Sequence, residues 1–294
     1  MAHLRCPLCA APLAGGPAVR ALRCPRGHSF DLARQGYVDL APGRPRHPGD
    51  SAEMVAARAD FLAAGHYRPL STALAEAVCA AVPPPSSAPP PSAPPGAAPP
   101  GAAARHLVVD VGCGTGHHLA AVLDATPHAV GVALDISQPA LRRAARAHPR
   151  AAAVRADTWR RLPLADGAAA VLLNVFAPRN GAEFHRVLRP DGLLLVASPE
   201  PDHLGVLVEA LGLLRVDPGK ADRVAGALGD RFAAAGSVVC RWPMRLSRDA
   251  VRVLVSSGPN AWHQEPAEVT RRLTALPEQL TVAAAIRLDR YRPA

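Results

Sequence analysis

The chain has 294 residues, 49% of them hydrophobic and 4% aromatic, with a formal net charge of +9. That length holds one large domain with an appendage, or two modest ones, around a core of Ala, Leu and Val. No run reaches the ~18–20 apolar residues of a membrane span, and the first residues carry no apolar stretch like a secretion signal, so a cytoplasmic protein is expected. A pI of about 10.1 suits a polyanionic partner such as RNA. The signal is discounted, because Lys occurs once, at Lys220, amid the Arg, Ala and Pro excess that GC-rich coding sequence produces.

Residues 1–40 contain half of the six cysteines. Cys6 and Cys9 form a C-x2-C pair, and Cys24 and His28 form a C-x3-H pair 14 residues further on. Each short pair can grip one side of a metal from a turn, and the intervening chain returns to complete a tetrahedron. Thiolates with a neutral imidazole favour zinc over magnesium or calcium, and four protein ligands favour a structural ion. Gly27 provides the second turn, while His3 falls outside the pairing. Arg5, Arg20, Arg23, Arg26 and Arg34 surround the ligands and are candidates for RNA phosphate contacts.

Residues 41–82 form a helical connector. Asp50 or Ser51 can cap a first helix whose apolar face is Met54, Val55, Phe61 and Leu62. Gly65 interrupts it, and Leu70, Leu74 and Val78 mark a second helix. Residues 83–104 are Pro- and Ala-rich and read as an extended linker or insertion.

From 105 to 294, strands and helices alternate. "HLVVDVG", "AVGVALDIS", "AAVRAD", "AAAVLLNVF" and "GLLLVASP" are buried strands. Helices are expected at 117–125, across "QPALRRAARAHP", and at 203–215 and 219–235, ahead of a mixed tail. The pattern predicts an α/β fold with a parallel sheet covered on both faces. "VVDVGCGTGHHLA" sets Gly112, Gly114 and Gly116 between a strand and a helix, where glycine permits a tight turn and close ligand approach. Asp135 ends the next strand 19 residues after Gly116, placed to accept hydrogen bonds from ribose hydroxyls. The G-x-G-x-G spacing, with Asp110 two residues before it, resembles motif I of the class I Rossmann-like S-adenosylmethionine methyltransferases. That resemblance implies that Asp110 holds the amino end of the cofactor and that Asp157 recognises the adenine amino group. The fourth strand ends in "LLNVFAPRN", where Asn174, Phe176 and Pro178 echo the polar-Pro-aromatic motif of nucleobase methyltransferases. Asn174 is the candidate for positioning the base, and Phe176 for stacking on it.

Beyond these motifs, "CPLC", "CPRGHSFDLARQGYVDL", "DSAEMVAARADFLAAGHYRPL", "VGCGTGHHLA", "RRAARAHPRA", "LNVFAPRN", "DHL", "ALGLLRV" and "WHQEPAE" together resemble the bacterial 23S rRNA (guanine-N1)-methyltransferases, particularly the tylosin-resistance branch. The likeness runs nearly end to end, apart from the Pro-rich stretch. It implies methyl transfer to guanine N1 in hairpin 35 of 23S rRNA, position 748 rather than 745, near the macrolide site. It also implies S-adenosylmethionine as cofactor, a structural zinc ion, a homodimer and possible macrolide resistance. Tyr67, His117, His118, Leu119 and His203 then join the cofactor set. Two other readings stay open: a small-molecule methyltransferase with a structural zinc site, and a non-catalytic zinc-containing RNA-binding protein.

Overall fold

The computed structural model describes residues 3–16, 20–43, 49–84, 106–257 and 266–294. Most of the Pro-rich stretch and part of "WHQEPAE" lie outside those residues. Within them no helix is long and apolar enough to cross a membrane.

The chain opens with three short antiparallel strands, β1 (Ala14–Gly16), β2 (Ala21–Arg23) and β3 (Ser29–Asp31). Then come β4 (Val38–Asp39) and helices α1 (Ala52–Ala63) and α2 (Arg68–Ala81). Of the two expected caps, Ser51 does the capping, its Oγ accepting from the Met54 amide at 3.2 Å. Gly65, at φ +81°, breaks the two helices apart, and Leu70, Leu74 and Val78 are completely buried.

An α/β unit follows: β5 (His106–Val111), α3 (His117–Ala125), β6 (Ala129–Asp135), α4 (Gln138–Ala147), β7 (Ala151–Arg155), β8 (Ala169–Val175), α5 (Gly181–Val187) and β9 (Leu188–Pro199). The chain ends with α6 (Gly205–Leu211), α7 (Lys220–Leu228), β10 (Phe232–Ser247), α8 (Arg248–Ser256), α9 (Pro266–Ala275) and β11 (Gln279–Pro293). The large sheet runs β10-β11-β9-β8-β5-β6-β7-β4. Its β4 to β9 portion is parallel, and β11 runs antiparallel to β9.

Burial on both faces explains the unbroken apolar strands. Val108 faces α2 and α3, whereas Leu107 and Val109 face the opposite side with Leu4, Leu22 and Val38 of the N-terminal segment and Phe184 of α5. The N-terminal segment is therefore stitched to the sheet. Strand β4 pairs in parallel with β7, and Asp39 meets Arg155 at 2.8 Å. The Arg5 amide donates to the Pro163 carbonyl at 3.0 Å, and the Ala165 amide to that of His3 at 2.9 Å.

Two differences from the sequence reading concern the C-terminal third. The helices expected at 203–215 and 219–235 are only α6 and α7. Left-handed backbone at Leu204 (φ +58°) and Gly212 (φ +63°) bounds the first, and Gly229 (φ +59°) ends the second. The mixed tail is mainly the long β10–β11 hairpin partnership, split by α8 and α9.

The strand order reverses between β5 and β8, since the chain leaves β5 toward β6 on one side and returns to β8 on the other. Open α/β sheets bind ligands beyond the carboxyl ends of the strands at such a point.

Candidate functional site

The four N-terminal ligand candidates converge. Their donor atoms all lie within 4.8 Å of one another. Cys6 Sγ is 3.5 Å from His28 Nδ1, Cys24 Sγ is 3.4 Å from the same nitrogen, and Cys9 Sγ is 3.7 Å from Cys24 Sγ. A tetrahedral zinc with thiolates at ~2.3 Å and imidazole at ~2.1 Å spaces its ligands about 3.6–3.8 Å apart, so the donor set fits the ion. Turns at Ala10 (φ +59°) and Gly27 (φ +85°) close the two knuckles. Their amides donate to the carbonyls of Cys6 and Cys24 at 2.8 and 3.0 Å. Burial opposes the Cys24 thiolate, yet the backbone amides of His28 and Arg26 outweigh it and bring the thiol down to about 7. Arg20, Arg23, Arg26 and Arg34 are exposed around the cluster, and Arg5 is half-buried.

Beyond the ends of β5 to β8 lies a cavity of about 910 Å³. That is near the upper end for small-molecule sites, ~300–1,000 Å³. The glycine loop forms its floor. Gly112 sits at φ +75°, and a Cβ there would stand 2.4 Å from that of Ala177, so the loop and the end of β8 touch. Gly114 donates its amide to Asp135 Oδ2 at 2.8 Å, and the Ser137 amide donates to Oδ1 at 2.8 Å. Gly116 does not line the cavity. At φ +77° it lets α3 lie against Ala144 and Ala147 of α4. Leu119 is likewise a core residue, 1% exposed.

Three acids of the sequence reading share the cavity: Asp110, Asp135 and Asp157. Asp110 is buried and its Oδ1 has no hydrogen-bond partner. Burial, reinforced by the charge of Asp135, pushes its carboxyl up to about 7. Asp135 is also raised, chiefly by burial. Asp157 Oδ1 accepts from the Trp159 amide at 2.9 Å, but its Oδ2 has no hydrogen bond and only an ion pair with Arg160 Nε at 3.5 Å. Orphaned acceptors on a cavity wall suit a ligand bearing ammonium, amino and hydroxyl donors, as S-adenosylmethionine does.

Tyr67 and His203 come together at 3.1 Å between Tyr67 Oη and His203 Nε2. The Ala285 amide donates to His203 Nδ1 at 3.1 Å, and burial pushes the ring down to about 4, so it is neutral. The ring proton therefore sits on Nε2 and is donated to Tyr67 Oη. Burial raises the Tyr67 phenol, which keeps its own proton for an acceptor in the cavity. His117 and His118 also line the cavity, His118 against Ser71 Oγ at 2.9 Å and held neutral near 3 by burial.

Asn174 does not line the cavity. It is fully buried, and its Nδ2 donates to the Pro178 carbonyl at 2.9 Å. Its hold is on the loop that carries Phe176, which is 46% exposed on the cavity wall at φ +53°. Asn180 adds a second hold, its Nδ2 donating to the Thr158 carbonyl at 2.9 Å.

Several lining residues escaped the sequence reading. Arg58 of α1 reaches over Gly114, bonded to Asp50 and to the Ser257 carbonyl. Trp159 is half exposed beside Asp157. Arg179, Arg215, Lys220 and Arg223 form one wall with Asp217. Arg215, Lys220 and Arg223 fall within nine residues of sequence, but only the fold brings them to Arg179 of the β8 loop. Acids thus line the cavity along the ends of β5, β6 and β7, with Arg58 over the glycine loop, while cations outnumber acids on the side of the β8 loop and α7.

A zinc-ribbon family model described as "RlmA, N-terminal" matches residues 4–47, and one described as "Methyltransferase domain" matches residues 108–192. The chain is 60% identical to the Micromonospora griseorubida protein named "Putative 23S rRNA (guanine-N(1)-)-methyltransferase", over 99% of this chain and 97% of that one. It is 48% identical to the 23S rRNA (guanine(748)-N(1))-methyltransferase of Streptomyces fradiae, again over 99% and 97%. A Bacillus subtilis (strain 168) relative, also named as a "Putative 23S rRNA (guanine-N(1)-)-methyltransferase", is 30% identical over 88% of this chain and 86% of its own.

The zinc knuckles and the β7–β8 loop share backbone hydrogen bonds, so removing the ion should be felt outside the ribbon. Cys24→Ser is expected to lose stoichiometric zinc and to speed amide exchange at Arg5 and Ala165, as read by metal assay and hydrogen-exchange mass spectrometry. Unchanged protection at Ala165 in zinc-free protein would show that the loop stands without the ribbon.

Proposed function

The chain belongs to the 23S rRNA (guanine-N1)-methyltransferase family, and from this we propose that it methylates N1 of a guanine in hairpin 35 of 23S rRNA, at position 748. The near-full-length similarity to the guanine-748 enzyme carries the reading. The charges lining the cavity support it, with acids suited to a cationic cofactor and cations suited to a nucleic acid. A cytoplasmic site of action follows from the ribosomal substrate. The homodimer rests on the family resemblance alone.

When bound, S-adenosylmethionine supplies the electrophilic methyl group. In this reading Asp110 receives the cofactor's ammonium, Asp135 its ribose hydroxyls and Asp157 its adenine amino group. Gly112 and Gly114 let the ligand approach the backbone, and Tyr67, oriented by His203, donates its hydroxyl proton into the same space. Guanine N1 lies on the Watson–Crick edge, so the base must leave its stack to reach the cavity. Phe176 offers an exposed ring for it to stack on. Guanine N1 also carries a proton, which is released to solvent as the methyl group is transferred, so the methylated base is neutral. Asn174 acts as a positioning residue through the loop that carries Phe176.

Primer extension on rRNA from a host lacking the modification tests the activity, since N1-methylguanine blocks reverse transcriptase. Introducing the gene should create a stop at guanine 748 together with tylosin resistance. A stop at 745 would correct the position, and no stop in hairpin 35 would overturn the reading.

Asp110 gives a pH signature. Its folded carboxyl is raised to about 7, so below that pH a cationic cofactor must expel a proton in order to bind. Affinity for S-adenosylmethionine should therefore climb with pH, by up to about tenfold per unit below 7, and level off above it. Calorimetry should show the wild-type to Asp110→Asn affinity ratio rising through this window; a flat ratio would remove Asp110 from the ammonium site.

Asn174→Ala should lower single-turnover methylation about tenfold or more while leaving the cofactor dissociation constant within about twofold. Equal loss of both would place Asn174 in the cofactor site instead.

A further inference from the structure

The cation wall is only partly matched by acids. Arg223 is paired with Asp217, and Arg179 has Asp289 and Tyr291 behind it but a buried Nε with no partner. Arg215 and Lys220 have no carboxylate partner among the described residues. Lys220 is half-buried, and its ammonium is pressed below the ordinary lysine range by burial, then by Arg179 and Arg223. It lines the same cavity as His203 and opposes that ring's protonation through its charge. Holding the partly buried Arg179 and Lys220 together is costly unless an anion joins them. Phe176 and Leu214, 46% and 52% exposed, line the same cavity and give apolar surface for a base beside the charges.

We infer that Lys220, with Arg179 and Arg215, grips a backbone phosphate of the nucleotide whose base enters the cavity. This is a second RNA contact, separate from the arginines of the zinc ribbon, and it rests on the proposed rRNA substrate. The cofactor contains no phosphate. Its carboxylate is the other anion that could meet these cations, and the experiment separates the two.

Lys220 is the only lysine of the chain, so amine acetylation reports one side chain apart from the N-terminus. The full-length, zinc-loaded protein is treated with an N-hydroxysuccinimide acetate alone, with a hairpin 35 transcript, or with S-adenosylhomocysteine. Acetylation of Lys220 is then followed by peptide mass spectrometry. The transcript should slow it at least about fivefold and S-adenosylhomocysteine should not, since burying an ammonium against phosphate removes its free amine. Protection by S-adenosylhomocysteine alone would assign the cations to the cofactor and overturn the inference; protection by neither ligand would do the same.

Binding measurements supply the second arm. Lys220→Gln should weaken transcript binding about tenfold at low salt and cut the log–log salt slope by ~0.7–0.9, with Lys220→Arg restoring both. S-adenosylmethionine affinity should be unaffected. An unchanged salt slope would refute the phosphate contact. Failure of the wild-type protein to methylate the transcript would count against the substrate reading itself.

Discussion

A buried carboxylate with an unpartnered oxygen is costly to ionise, and Asp110, whose Oδ1 has no hydrogen-bond partner, is held in that condition at the end of β5. With its carboxyl near 7, charging it in the unliganded fold costs about 4 kcal/mol relative to water. A cationic ligand beside it would recover that cost. The surroundings keep the group dry and fixed: the glycine loop turns above it, Asp135 is tied down by two amides, and Ala177 presses against Gly112 so that the β8 loop closes the floor. Small residues at that contact bring the β8 loop against the glycine loop. The uneven charge of the cavity follows from the topology, since acids end three adjacent strands while most of the cations arrive on elements that follow β8.

The zinc ribbon is a working part of the sheet. Its inner face, with Leu4, Leu22 and the ligands Cys6 and Cys24, shares one apolar cluster with Val109, Val154, Leu162 and Leu164. An N-terminal segment this small buries too little surface to fold by hydrophobic contact alone, and the metal supplies what is lacking. In return the ribbon covers the β7 edge and holds the loop that follows Asp157. The metal site is therefore mechanically linked to the cavity wall at Asp157, although it lies outside the cavity.

Much of this was legible in the sequence where chemistry is local. The Cys and His pairs, the strand–glycine–helix unit, the break at Gly65 and the carboxylates at strand ends each depend on short spacing, and each appears where its spacing puts it. Gly116 and Leu119 show the limit, because a glycine beside a ligand loop and a glycine between helices look alike until α4 is placed. Asn174 was singled out as a polar strand end, but which way it faces depends on the loop beyond. Sequence pattern also missed the β10–β11 partnership. The exposed outer strand lacks alternation, and the two strands are joined through two helices. The cation wall was illegible because Arg215 and Lys220, close in sequence, meet Arg179 of the β8 loop only in the fold.

The parallel pairing of β4 with β7 carries a consequence for the order of synthesis. Val38 is translated early, but its partner Val154 follows more than a hundred residues later. At ~5–20 residues per second that is about 5 to 25 seconds during which the ribbon has emerged and its dock has not. A ribbon that had to wait for the sheet would spend that interval with three thiols and an apolar face exposed. Capturing the ion first would cover the thiols and give the nascent chain a closed ribbon to carry until β7 arrives, a protection that metal supplied after translation could not give.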